Sequence, residues 1–281
     1  MVDLHTHSSC SDGTFGPAEL VREAEASGVT HFALTDHDTV DGVAPARAEA
    51  EARGVAFIGG LEISAEYQPG TMHILGYGFD EADASLAERL DYVRRCRAER
   101  NPRIAENLRR LGMEVTMDEV AAASGHGVVG RPHFAKVLLG KGYVSSLQEA
   151  FDRYLAKSRP AYVDKARLSP EESIASIRKA GGVAVLAHPL QLKAGRDGAL
   201  EAIVLRLMEL GLQGLECFYR NHSKEDTQAC LGIAKRHGLI ATGGSDFHGS
   251  NRPSIRLGMG EGDLRVPIEC WDRLVSAPRS A

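Results

Sequence analysis

Short apolar runs alternate with stretches of 3.6-residue periodicity through the first third of the chain. Residues 2–4 read as a short strand, and Pro17 opens a helix through residue 26, at the position where a helix best accepts proline. HFALT at 31–35 is a buried strand, followed by a helix over 43–53 that stops at Gly54, the residue type that most readily adopts the left-handed turn past a helix end. Two more strands are expected at 56–63 and 72–79. Strand and helix in repeated alternation imply a parallel sheet or barrel with right-handed crossovers.

From about residue 85 the rhythm changes. Residues 85–111 form one long helical pattern ending at Gly112, which Pro102 should kink or divide, because its ring removes an N–H and crowds the preceding turn. Helices follow at 116–124, 131–141 and 146–157 with no strand between them. Alternation then resumes: a helix at 170–180, a strand at 183–187, a helix at 199–210, a strand at 215–218, a helix at 224–237 and a strand at 239–242. The simplest account is an α/β barrel built from residues 1–84 and 168–281, interrupted by an all-helical insertion or lid at 85–167.

Composition adds bounds rather than direction. With 281 residues, 43% hydrophobic and 25% charged, the chain is long enough for a large core and ordinary for a globular protein. It lacks the run of about 18 apolar residues that a bilayer span needs. Its start runs straight into Asp3, His5 and His7 without a basic leader, so neither a signal peptide nor a membrane partner is expected. Five scattered cysteines without a CxxC pair point to a reducing cytoplasm, and Cys10, beside the first histidines, reads as a bystander thiol. The net charge of −5 hides an asymmetry: residues 89–167 carry 16 Lys/Arg against 9 Asp/Glu, and the rest of the chain 17 against 29. An acidic body joined to a basic segment suits an anionic substrate lying between them. Part of that positive charge belongs to the solvated face of the long helix.

The candidate chemistry sits at strand ends. In Asp3-Leu4-His5-Thr6-His7 the two histidines are i and i+2, on one face of an extended strand, and can grip one ion. Asp12 follows in Ser11-Asp12-Gly13, either as a ligand or as a plain turn aspartate. Thr35-Asp36-His37-Asp38 stands just after an apolar strand, where α/β folds place active sites. There His37 is the ligand, Asp36 a partner orienting an imidazole, and Asp38 the start of the next turn. Glu62 lies inside an apolar strand, and a lone buried carboxylate is costly without a cation, so it is the candidate bridge. His73 lies in a strand, His188 ends one before Pro189, and Asp246 and His248 form a DxH pair after another. Nine ligands exceed the needs of one ion, and imidazole with carboxylate but no thiolate suits two or three Mn²⁺, Zn²⁺ or Fe²⁺ ions rather than Ca²⁺.

These motifs in this order, DLHTHS at 3–8, SDG at 11–13, TDHD at 35–38, GLEIS at 60–64, HILGYG at 73–78, AHP at 187–189 and GSDFH at 244–248, resemble the polymerase-and-histidinol-phosphatase (PHP) family. The resemblance implies a distorted (β/α)₇ barrel with a trinuclear metal centre. The first ion would be held by His5, His7, Glu62 and Asp246, the second by Glu62, His73 and His188, and the third by Asp12, His37 and His248. Aspartate at 12 stands where many members carry histidine. RPHFA at 131–135, FDRYL at 151–155 and RPAYV at 159–163 look like the helical insertion of the members acting on nucleotides, which include nucleoside 3′,5′-bisphosphate phosphatases and enzymes trimming short RNA from its 5′ end. Histidinol phosphatases are less similar in this region.

The expected function is therefore metal-dependent hydrolysis of a nucleotide phosphomonoester, a 3′,5′-bisphosphate first and a short RNA end second. A hydroxide held at the metals by Glu62, Asp246 and His248 would attack phosphorus in line. The expected partners are these small phosphorylated molecules, not duplex DNA. Arg131 would pair with phosphate, with His133 reaching the same group or protonating the leaving oxygen, although RPHFA is also an ordinary helix start. His222 lies on the active face as a further substrate residue. Lys157 and Arg159 suit a solvated loop equally well, and His31, His126 and His237 read as structural or surface residues. A histidinol-phosphate-type phosphatase is the other alternative within the family, and an amidohydrolase, whose bridge is commonly a carboxylated lysine, and a non-catalytic metal-binding module are the competing classes.

Overall fold

The computed structural model describes residues 1–124, 128–164, 166–194 and 198–279, so His126 lies outside the described residues. Seven strands follow one another round a single sheet in chain order: β1 (Val2–Asp3), β2 (His31–Leu34), β3 (Ala56–Ala65), β4 (Met72–Tyr77), β5 (Val183–Leu186), β6 (Gly214–Tyr219) and β7 (Ile240–Gly244). The ring closes where the Leu4 N–H donates to Gly243 O at 3.1 Å and the Asp246 N–H to His5 O at 2.8 Å. Closure there depends on glycine, since a β-carbon at Gly244 would lie 2.4 Å from the backbone nitrogen of His5. The architecture is the α/β barrel expected from the pattern.

One expectation fails. Four neighbouring pairs are parallel, but β4 runs antiparallel to both β3 and β5. Only residues 66–71 separate β3 from β4, whereas a parallel return needs a crossover of a dozen or more residues. The chain has to double back. This hairpin places Ser64 opposite His73 and Glu62 opposite Leu75, so Glu62, Ser64 and His73 share one face.

Helices α1 (Pro17–Ala26) and α2 (Val43–Arg53) cover the first strands, and α2 ends at Gly54 with φ 68°, as its sequence demands. Between β4 and β5 come α3 (Ala84–Arg110), α4 (Met117–Ser124), α5 (Arg131–Gly140) and α6 (Leu147–Ala150). Helix α3 runs unbroken through Pro102. It buries Leu86, Leu90 and Val93 against the barrel side and Ile104 and Leu108 in a separate helical cluster, so tertiary burial on both sides of the proline outweighs its cost of about 3 kcal/mol. The expected single helix at 146–157 is instead the short α6 continued by a wide π-helical turn over Phe151–Leu155.

The helical cluster centres on Phe134, Leu138, Ile104, Leu108 and Leu155, all fully buried. Phe134→Ala is expected to lower stability by about 3–5 kcal/mol, the range for a buried phenylalanine with its cavity left behind, measured by urea denaturation. Helices α7 (Pro170–Lys179), α8 (Ala199–Glu209) and α9 (Lys224–Arg236) pack on the later strands. The last helix, α10 (Ile268–Val275), for which the pattern gave no expectation, sends Cys270 and Leu274 into the cluster formed by Val2, Leu4, Leu75, Val183 and Val185. Among the described residues no helix is long and apolar enough to cross a membrane.

Candidate metal centre

All nine predicted ligands converge at one end of the barrel, around Glu62. One carboxylate oxygen, Oε1, lies 2.7 Å from His73 Nδ1 and 2.9 Å from His188 Nε2. The other, Oε2, lies 3.1 Å from His37 Nδ1 and 3.3 Å from Nε2 of both His5 and His7. Asp246 Oδ1 is 3.3 Å from His7 Nε2 and 3.7 Å from His5 Nε2. Asp12 Oδ1 is 3.1 Å from His248 Nε2.

Ligand atoms within 4.8 Å of one another fall into four overlapping sets: His5, His7 and Asp246; His5, Glu62 and His188; His37, Glu62 and His73; and His7, Asp12, His37 and His248. His73 and His188 meet the same oxygen of Glu62 yet belong to different sets. The Asp12 set holds the three residues grouped by resemblance and adds His7.

The local chain is built for this convergence. Three residues at the barrel end, Asp38, His188 and Asp246, sit at positive φ (55°, 24° and 53°), a costly conformation for non-glycine residues that persists where the surroundings fix it. Asp3 fixes the loop after β7 by accepting from Ser245 Oγ at 2.6 Å and the Gly258 N–H at 2.7 Å. Asp36 was expected to orient an imidazole. Instead it accepts from the hydroxyls of Ser8 and Ser11, both at 2.5 Å, and so ties down the loop that carries Asp12. Asp38 does not simply begin a turn. It is fully buried, accepts the Ser64 N–H at 3.0 Å and pairs with the Arg97 guanidinium, which anchors α3 to the barrel mouth.

Electrostatically the cluster demands positive charge. Burial pushes the Glu62 carboxyl up, but the imidazoles of His37, His73 and His5 outweigh it and hold the group well below the usual range. Asp246 is likewise held down against burial, by Arg252 and His248. Burial drives His37 down to about 3 against the pull of Glu62 and Asp12, while His7 rises to about 9 because Asp246 and Glu62 overcome its burial. Protein carboxylates thus hold protons on some of these rings, a role that a divalent cation can take over.

The decisive observation is a set of orphaned atoms. His5 Nε2, His7 Nδ1 and Nε2, Asp12 Oδ1, His37 Nδ1, Glu62 Oε2 and His248 Nε2 are buried and make no hydrogen bond of acceptable angle, although several face one another at 3.1–3.3 Å. Such atoms cost free energy unless something satisfies them, and lone pairs from imidazole and carboxylate aimed at common points fit divalent metal.

Beside the cluster lies a cleft of about 230 Å³, reached by Asp12, His37 and His73 on one wall and by Arg97, Arg100, Arg131, Lys157, Tyr162 and Arg167 on the other. Among the described residues neither Arg100 nor Arg131 pairs with a carboxylate: Arg100 donates to the Asn101 side chain, and Arg131 donates to Leu155 O at 3.1 Å, at the end of the π-helical turn. Burial, together with Arg97, Arg131 and Arg167, lowers Arg100 to about 9. Like charges held this close are a ready-made anion site. The guanidinium of Arg131 also lies over Tyr162 and Phe151, at 5.3 and 6.0 Å from the ring centroids.

The other predicted substrate residues are placed differently. His133 is buried, and its Nδ1 accepts the Gly130 N–H at 3.0 Å, capping α5; Arg131 and Pro132 line the cleft, and His133 is not among its lining residues. Burial lowers it to about 4, which leaves it neutral near pH 7. His222 stands against the Tyr219 ring, its Nδ1 2.9 Å from Cys217 O, beside a separate hollow shared with His188 and Tyr219. Lys157 lines the cleft; Arg159 is exposed. Of the histidines read as structural, His31 packs edge-on against Trp271 and His237 pairs with Glu201. Cys10 is free, burial raises it to about 11, and it belongs to none of the four ligand sets.

Sequence reading missed Tyr219, Arg252 and Glu216. Tyr219 donates to Asp246 Oδ2 at 2.8 Å, and Arg252 pairs with the same oxygen, which leaves Oδ1 turned toward His5 and His7. Glu216, a carboxylate inside the apolar strand Gly214–Tyr219, gave the same signal that singled out Glu62.

Comparison with known proteins places this geometry among relatives. The model of the PHP domain family matches residues 3–163. A 3′,5′-nucleoside bisphosphate phosphatase of Chromobacterium violaceum is 37% identical over 248 residues, 88% of this chain and 87% of that protein. A 5′-3′ exoribonuclease of Haemophilus influenzae is 35% identical over 246 residues, 88% of this chain and 89% of that protein. Two solved structures superpose closely. One, from Bifidobacterium adolescentis and provisionally assigned as a metal-dependent phosphoesterase, has a TM-score of 0.86 at 31% identity, covering 97% of this chain and 94% of the other. The second, described as an amidohydrolase of Chromobacterium violaceum with bound sulfate and no metal, has a TM-score of 0.88 at 35% identity, covering 98% and 96%.

Proposed function

Because the chain belongs to the PHP domain family, we propose that it removes phosphate from a nucleotide, with a nucleoside 3′,5′-bisphosphate as substrate and a nucleoside monophosphate as product. The chain is a hydrolase of phosphoester bonds and depends on divalent metal. The observation that carries the finer reading is the juxtaposition of the ligand cluster and the arginine-rich cleft, which share Asp12, His37 and His73 as a wall.

Nine residues would hold two or three ions of manganese, zinc or iron: His5, His7, Asp12, His37, Glu62, His73, His188, Asp246 and His248. Bound there, such ions supply the Lewis acidity that polarises a phosphoryl group and acidifies a water molecule. The chain's own groups do the rest. Arg131, pinned through Leu155 O and stacked over Tyr162, presents a fixed guanidinium to a phosphate, and Arg97 and Arg100 add positive charge along the cleft. Tyr162 and Phe151 offer aromatic surface beside it. The basic helices of 85–167 would serve as a lid domain over the barrel formed by the remainder. Neutral His133, capping α5, positions Arg131 at the first turn of that helix.

A second reading, trimming of short RNA from its 5′ end, is favoured by the nearly equal identity to the exoribonuclease. The amidohydrolase reading lacks its usual bridge, since β3 and β4 contain no lysine and Glu62 occupies the centre. Phosphate release from a panel of nucleoside bisphosphates, monophosphates and oligoribonucleotides, with manganese or zinc present, separates these readings. Fastest release from the bisphosphates supports the proposal, and turnover confined to oligoribonucleotides overturns it. On the preferred substrate, Arg131→Ala is expected to lower kcat/KM by about 10- to 100-fold, equivalent to the 1.5–3 kcal/mol of a charge-assisted hydrogen bond, with metal content by mass spectrometry unchanged.

A further inference from the structure

The nine ligands leave one fully buried carboxylate at the barrel end without a role. Glu216 projects from β6 and spends both of its oxygens on the cluster: Oε1 lies 2.9 Å from His5 Nδ1, and Oε2 accepts the His188 N–H at 2.6 Å. It touches the end of β1 and the end of β5 at once. His188 is the residue at φ 24° that leads into Pro189, so its N–H is fixed where the backbone is least relaxed.

We propose that Glu216 is the positioning residue of the metal centre: it sets the tautomer of His5 and holds the strand end that delivers His188. The inference rests on the metal-centre reading of the cluster. His5 Nε2 faces the point between Glu62 and Asp246 where an ion would sit, and when that nitrogen ligates, Nδ1 has to carry the ring proton; Glu216 Oε1, 2.9 Å away, is the acceptor placed to hold it there. The same carboxylate takes the backbone N–H of His188, while His188 Nε2 faces Glu62 Oε1.

This double acceptance makes the isosteric substitution informative. In Glu216→Gln the amide oxygen can serve only one of the two donors. With the oxygen on the His188 N–H, the NH₂ group faces His5 Nδ1 and drives the ring proton to Nε2, which abolishes that nitrogen as a ligand. With the amide flipped, NH₂ opposes the His188 N–H and unseats the strand end. Either orientation harms the site, although the side chain keeps its volume and loses only its charge and one acceptor oxygen.

The test uses full-length protein, wild type and Glu216→Gln, with Glu216→Asp as a second variant that keeps a carboxylate. Zinc affinity is measured by competition with a chromophoric chelator, and imidazole N–H resonances are recorded by NMR on ¹⁵N-histidine-labelled protein, metal-free and zinc-loaded. Expected are a hydrogen-bonded Nδ1–H of His5 in the wild type, lost in Glu216→Gln, and a 10- to 100-fold weakening of zinc in that variant, with Glu216→Asp in between. Zinc affinity of Glu216→Gln within threefold of wild type, or a wild-type His5 protonated at Nε2 alone, overturns the inference. Failure of the wild type itself to retain zinc would sink the metal-centre reading instead; the hydrogen bond from His5 Nδ1–H to Glu216 is then still read in the metal-free spectra, where its absence overturns the inference.

Discussion

Glu62→Ala is expected to lower kcat/KM on the preferred substrate by about 1,000-fold or more and to release bound divalent metal in the same step. Five imidazoles approach this one side chain, through both of its oxygens, at 2.7–3.3 Å. Removing it leaves those nitrogens without their shared anion and takes away the group common to the His188 and His73 sets. Loss of several kcal/mol of transition-state stabilisation from the metals corresponds to a thousandfold or larger effect. Steady-state phosphate release and metal analysis on the same preparation check it. Circular dichroism should stay close to wild type, because the strand around Glu62 keeps Leu61 and Ile63 in the apolar core.

Metal removal from the wild type should match that loss reversibly. Exhaustive chelation is expected to abolish activity and lower Tm, and manganese or zinc should restore both. The sign follows from linkage: ions bound only by the folded state stabilise it, by about 4 kcal/mol at a concentration 1,000 times Kd, which corresponds to roughly 7 °C for a chain of this length at about 2.1 cal/mol/K of unfolding entropy per residue. A Tm indifferent to chelator would mean that the buried carboxylates are balanced by protons alone.

Much of the site was legible because its motifs are local. An imidazole or carboxylate beside a short apolar strand is visible in a window of six residues, and His5, His37, His188 and Asp246 each follow such a strand closely. The barrel itself followed from alternation, but the reversal of β4 did not, because alternation implies parallel strands whereas the six-residue link to β3 allows no crossover. Glu216 carried the signal used for Glu62 but no neighbouring motif. Arg97 and Arg100 were hidden in a basic helix: only the docking of α3, through Asp38, decides that these two face the cleft while Arg103, Arg109 and Arg110 stay exposed. Such choices depend on contacts between residues 59 positions apart, which periodicity cannot express.

Anomalous diffraction from crystals grown with zinc or manganese tests the central claim most directly. Two or three peaks enclosed by His5, His7, Asp12, His37, Glu62, His73, His188, Asp246 and His248, absent in Glu62→Ala, are the predicted result. Metal-saturated crystals with no peak among those side chains, from protein that still releases phosphate from nucleotides, would contradict it.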